Sequence, residues 1–112
     1  LPKDYINYKL TGVHCTDYSD ASGMLLLDVQ HKCWSKEMLD ICGVSEAKVP
    51  KLFESWEPVG TLTAEAAAKL GLPEGVKVCA GAGDNAAVHE FTQALAIAGE
   101  QLGQNDRQDG GQ

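Results

Sequence analysis

The sequence predicts an α/β fold, and three stretches carry that prediction. From Pro58 onward the residues run strand, helix, strand, helix, the order of an α/β unit. Val78-Cys79-Ala80-Gly81-Ala82-Gly83-Asp84-Asn85-Ala86-Ala87 joins an apolar strand to a helix start through a glycine-rich turn. Upstream, Met24-Leu25-Leu26-Leu27-Asp28-Val29, a polar Gln30-His31-Lys32 and Cys33-Trp34 make a hairpin pattern. The 112 residues suffice for one small domain with a modest core. At 44% hydrophobic and 22% charged, the composition is that of a soluble globular chain.

Residues 3–10 predict a short helix, because Tyr5 and Tyr8, and Ile6 and Leu10, recur at helical spacing and give an apolar face. Thr11-Gly12 ends it. Thr16–Gly23 is dense in small polar side chains that bond back to backbone amides. It predicts an ordered loop or short helix, either a solvated turn or the wall of a site. Ser35 is a good N-cap for a helix carrying Met38, Leu39, Ile41 and Cys42, closed by Gly43. A second helical piece is expected from Ser45, carrying Val49, Leu52 and Phe53, with Pro50 at a start or a break. Trp56 is expected to pack into the core.

Pro58-Val59-Gly60-Thr61-Leu62 alternates as a strand does. Thr63 then caps the alanine-rich Ala64–Leu70, and Gly71 stops it. Leu72-Pro73-Glu74-Gly75 turns the chain into Val76–Ala80. Past Ala87, Phe91, Leu95, Ala98 and Leu102 predict an amphipathic helix over 86–102. The tail after Gly103 has no apolar residue and is expected to be disordered.

At the centre of the glycine-rich turn stands one carboxylate, Asp84. Two readings of it are open. It N-caps the helix and the glycines merely make the turn. Or it is an acid placed where backbone amides favour an anion, able to accept a proton or help hold a metal near a phosphoryl group.

The net charge of −7, spread along the chain, argues against nucleic acid or an anionic membrane as partner. No apolar run approaches the roughly 20 residues that span a bilayer. The first residues hold no secretory signal, and without an initiating methionine the chain reads as processed or as a piece of something longer. Cys15, Cys33, Cys42 and Cys79 fit no common zinc spacing, and Cys42 and Cys79 are expected to be buried thiols. His14, His31 and His89 are scattered and are expected at the surface or in turns.

Leu1-Pro2-Lys3-Asp4-Tyr5-Ile6, Leu10-Thr11-Gly12 and Thr16–Gly23 together resemble the interior of an FGGY carbohydrate kinase. Trp34-Ser35, Val59–Thr63, Leu72–Gly75 and Gly81–Ala87 follow in the family's order. Within the family these residues are nearest to the xylulokinases, which phosphorylate D-xylulose with ATP. The resemblance covers residues 1 to about 87. It implies an actin-like, ribonuclease-H-like fold, with this stretch in the later part of the N-terminal lobe. It also implies that Asp84 is the catalytic base near the magnesium of ATP, with Asn85 and Gly83 beside the sugar. Asp17 and Asp20 then support the cleft. The implied partners are ATP with Mg2+ and a ketose, in the cytoplasm.

The chain departs from the family in lacking its aspartate-glycine-threonine phosphate loop. The divergence after Ala87 divides it into a family segment at 1–87, a non-family helix at 88–103 and a polar tail at 104–112. The expectation is therefore a fragment of a pentulose kinase, inactive alone. The competing expectation is a non-catalytic, self-associating module.

Overall fold

Helix ends in this chain are set by side chains and turns that answer backbone amides and carbonyls. The computed structural model describes residues 1–89. α1 (Pro2–Thr11) starts with proline, whose missing N–H costs nothing in a first turn. It ends at Gly12, whose N–H donates to the Tyr8 carbonyl at 2.7 Å. The expected apolar face is not the buried one. Tyr5, Ile6 and Tyr8 are exposed, while Asn7 is buried and Lys3, Asp4 and Leu10 are half-buried. The reason is tertiary: Asn7 Nδ2 donates to the carbonyls of Ala80 at 2.9 Å and Cys79 at 3.3 Å, which would otherwise lack that partner.

β1 (Cys15–Asp17) runs straight into α2 (Tyr18–Gly23). The Thr16–Gly23 stretch is thus a buried strand end followed by a helical turn and a half. β2 (Leu27–Asp28) and β3 (Cys33–Trp34) form the predicted antiparallel hairpin, with Leu27 opposite Trp34. It is shorter than the apolar run suggested, because Leu25 adopts a φ of 64° and breaks the strand before it. α3 (Lys36–Ile41) is capped by Ser35 as expected, its Oγ accepting from Met38 N at 3.3 Å.

The segment after Ser45 corrects the expected second helix. Glu46–Lys48 makes one 3-10 turn, and β4 (Lys51–Phe53) then pairs in parallel with β1, placing Phe53 beside Asp17. Pro50 decides this. It disfavours helical angles at the residue before it, and Val49 is extended at φ −90°, ψ 145°. Leu52 and Phe53 therefore belong to a strand, and Phe53 is a core residue.

β5 (Pro58–Thr61), α4 (Ala64–Leu70) and β6 (Lys77–Cys79) follow in the predicted order. β5 and β6 pair antiparallel, with an irregularity between Pro58 and Gly60, so this unit is not a parallel crossover. Thr63 Oγ1 accepts from Ala66 N at 3.2 Å, and Gly71, at φ 67°, supplies the left-handed residue that ends α4. Thr63→Ala should lower the unfolding free energy by about 1 kcal/mol, the usual worth of such a cap. Urea unfolding checks this, and an unchanged midpoint would remove the cap from the account.

Two small cores result among the described residues. One gathers Cys15, Phe53 and Ala80 with Val13 and Val59; the other gathers Leu62, Ala66 and Ala67 with Leu10 and Val78. Three further expectations fail. Trp56 is 75% exposed, and Cys42 and Cys79 are exposed thiols, whereas Cys15 is the buried one. Trp56 sits in the tight turn between β4 and β5, where Glu57 N donates to Glu54 O at 3.0 Å and no element among the described residues covers it. No helix among the described residues is long and apolar enough to cross a membrane. The chain divides into two compact units, Leu1–Ala82 and one beginning at Gly83. In the second, residues 84–89 are helical, and the rest of the predicted 86–102 helix and the tail lie outside the described residues.

Candidate active site

The strand that leads to Asp84 is fixed at its end by backbone bonds. Ala80 N donates to Glu57 O at 3.0 Å, and Gly81 N donates to Ser55 O at 2.9 Å. Gly81 has a φ of +82°, and a Cβ there would stand 2.9 Å from Lys3 Cδ. Glycine is needed at 81 on both counts.

In the second unit, Ala87 N donates to Gly83 O at 2.9 Å, the first turn of the helix. Gly83 is therefore the N-cap, and Asp84 occupies the first helical position. Asp84 Oδ1 accepts from the adjoining Asn85 N at 3.0 Å, and both residues are exposed. The structure thus sets Gly83, Asp84 and Asn85 side by side, with the carboxylate at the helix start.

Asp17 and Asp20 come together in the first unit, around a residue that the motif reading passed over. Lys3 Nζ lies 2.8 Å from Asp17 Oδ1, 2.8 Å from Asp4 Oδ1 and 3.5 Å from Asp20 Oδ2. It also donates to Ala80 O at 3.0 Å. Asp17 is fully buried. Its Oδ2 accepts from Ser19 N at 2.9 Å, Asp20 N at 3.3 Å, Ser55 Oγ at 3.3 Å and the Ser19 hydroxyl. Oδ1 makes no hydrogen bond of ordinary geometry among the described residues, and its charge is balanced by the Lys3 ammonium.

The titration of this cluster follows from its geometry. Burial pushes the Asp17 carboxyl up, but the Lys3 ammonium and the Ser19 hydroxyl outweigh it and hold it below the ordinary aspartate value. Burial likewise pulls Lys3 down, and Asp17 and Asp4 outweigh it, holding Lys3 above the ordinary lysine value. Both groups are charged at neutral pH.

Of Lys3, Asn7 and Ser55, the first two left a trace in the sequence. Lys3 and Asn7 are polar residues four apart on a helix whose buried side contains Leu10, a pattern that asks for buried polar partners. Ser55 had none, because its contact to Asp17 spans 38 positions. An open cavity of about 520 Å3 lies beside α1, lined by Asp4, Tyr5, Tyr8, His14 and Lys48, among others. It contains none of the site residues expected from sequence.

A metal at Asp84 would find few protein ligands. Among the described residues no three His, Cys, Asp or Glu side chains are grouped to hold one. Magnesium suits such a place, since it keeps several waters and takes one or two carboxylates plus phosphate oxygens. The exposed Asp84 carboxylate fits that single-contact role.

Comparison with known proteins bears on all of these residues at once. Residues 1–89 match the N-terminal domain of the FGGY family of carbohydrate kinases. The chain is 49% identical over 86 residues to the xylulose kinase of Bacillus subtilis, a match covering 77% of this chain and 17% of that protein. Its fold superposes on the crystal structure of a xyloylose kinase from Brucella ovis with a TM-score of 0.73 at 45% identity, over 77% of this chain and 18% of that one. The gluconate kinase of Lactobacillus acidophilus follows with a TM-score of 0.70 at 32% identity, over 73% and 17%. The chain therefore spans about a sixth of the length of these relatives.

Proposed function

The chain belongs to the FGGY family of carbohydrate kinases, and on that premise we propose that it carries the base and part of the sugar contact of an ATP-dependent pentulose kinase. The observation that carries this reading is the family match through residue 89, which takes in Gly81-Ala82-Gly83-Asp84-Asn85-Ala86-Ala87. In this reading Asp84 accepts the proton of the attacking sugar hydroxyl. The hydroxyl oxygen forms its bond to the γ-phosphorus of ATP as the bond to the β-phosphate oxygen breaks, and ADP leaves. Asn85 offers both an amide donor and a carbonyl acceptor to sugar hydroxyls. Gly83 leaves room for the substrate against the backbone. Mg2+, when bound with ATP, neutralises phosphate charge, and Asp84 is the residue of this segment that would face it.

The sugar is proposed from sequence, not from fold. A gluconate kinase superposes on this chain nearly as well as a xyloylose kinase does, and a xylulose kinase from the same organism shares the gluconate enzyme's 32% identity, but the relatives at 45–49% identity carry the names xylulose or xyloylose kinase. D-Xylulose is therefore the proposed substrate. Asp17 and Asp20 are proposed as support, not as groups that touch it.

Placing residues 1–87 in the matching stretch of the B. subtilis xylulose kinase gives a chimera that tests the reading. ADP release should show kcat/KM for D-xylulose at least about tenfold above gluconate or glycerol, ~1.4 kcal/mol of discrimination. Preference for another sugar would overturn the substrate, and absence of any acceptor would overturn the kinase reading. The 112-residue chain alone is expected to give no turnover above background, since it spans about a sixth of the relatives' length.

A further inference from the structure

We propose that Lys3 is a positioning residue for the turn that leads into Asp84, a role that rests on reading Asp84 as the base. Lys3 acts on this turn with both parts of its side chain. Its head donates to Ala80 O at 3.0 Å and stands 2.8 Å from Asp17 Oδ1 on β1. Its stem fills the space where a Cβ at position 81 would be, 2.9 Å from Lys3 Cδ. One helical turn later, Asn7 adds a second donor to Ala80 O at 2.9 Å. The Ala80 and Gly81 amides are held from the other side by Glu57 O and Ser55 O. Ser55 in turn donates its hydroxyl to Asp17. The backbone is thus clamped from α1, β1 and the β4–β5 turn at Ala80 and Gly81, three residues before Asp84.

Packing alone does not call for this arrangement. An apolar pair of similar volume would fill the space of Lys3 and Asp17 without burying charge. The ion pair instead ties one carbonyl, Ala80 O, to a fully buried anchor. A turn pinned in this way holds the backbone at the end of β6, and in a working kinase a base displaced by about 1 Å loses about 100-fold in rate.

The test uses Lys3→Met with Asp17→Asn, a pair that removes both charges and so leaves no buried carboxylate without a partner. In the 112-residue chain, amide exchange at Ala80 and Gly81 should quicken about tenfold, while Val44 and Leu72, bonded within other turns, change by less than about twofold. In the chimera, kcat should fall about 100-fold with KM for sugar and ATP within about threefold. Lys3→Arg keeps the charge and should restore both readouts toward the parent. Unchanged exchange at Gly81, an equal rise at Val44 and Leu72, or an unchanged kcat would each overturn the proposal. Asp84→Asn separates the two readings. If turnover survives that change, the base assignment fails and the catalytic half of this proposal fails with it. If turnover is lost but the Lys3 pair is neutral, only the positioning role fails.

Discussion

Asp84→Asn in the chimeric kinase is expected to lower kcat by about 1000-fold, ~4 kcal/mol of barrier, with KM for D-xylulose changed by less than about threefold. Asparagine matches aspartate in size, and its carbonyl keeps the acceptor that Asn85 N uses at 3.0 Å, so the helix start survives the change. What it cannot do is take up a proton. A group needed only to cap a helix would tolerate the swap, since asparagine caps as well as aspartate does. The two readings open at the level of sequence thus part at this residue. Gly83 is the N-cap, and Asp84 lies one position inside the helix. Asn85→Ala should act differently. Losing hydroxyl contacts that are equal in ground and transition states raises KM and leaves kcat nearly intact. A fall in kcat below about tenfold for Asp84→Asn would sink the base assignment.

The parts of the fold legible in the sequence were those written in adjacent residues. Ser35 and Thr63 announce α3 and α4, Gly12 and Gly71 end their helices, and the polar Gln30-His31-Lys32 sets the hairpin. The misread parts depend on partners far along the chain. Leu52 and Phe53 carry a helical spacing from Val49, yet β1 offers an edge 36 residues away and Pro50 blocks the helix that would compete for them. The outer face of α1 looks like a core face by spacing, because Tyr5, Ile6 and Tyr8 are large and apolar. Only the carbonyls of Cys79 and Ala80, brought in from more than 70 residues away, explain why Asn7 turns inward instead. The candidate site divides in the same way. Gly83, Asp84 and Asn85 are a contiguous motif and could be read, whereas Lys3 acquires meaning only when Asp17, Asp20 and Gly81 are folded around it.

That dependence makes Lys3 the residue whose loss should cost most stability. Lys3→Met leaves Asp17 fully buried with its Oδ1 facing no cation, and breaking a buried pair in this way costs about 3–5 kcal/mol. Asp17→Asn should cost less. It keeps an acceptor for Ser19 N and Asp20 N, and Lys3, itself partly exposed, still has Asp4 at 2.8 Å and Asp20 at 3.5 Å. The double variant should recover most of the Lys3→Met loss, so urea unfolding of the four proteins closes a cycle with a large coupling. The same pair sets the pH profile. Asp17 titrates below its ordinary value, so its contribution is present above about pH 4 and is lost as pH falls through the lowered folded value. Lys3 titrates above its ordinary value, so its contribution is present below about pH 10.4 and is lost as pH rises through the raised folded value. The parent chain should therefore be most stable between those limits, and both shoulders should be weaker in the doubly neutral variant, where the exposed Asp28, Glu65 and Lys32 pairs remain. A double variant that keeps them undiminished would move the titrating groups elsewhere, and with them the claim that this lysine holds the turn before Asp84.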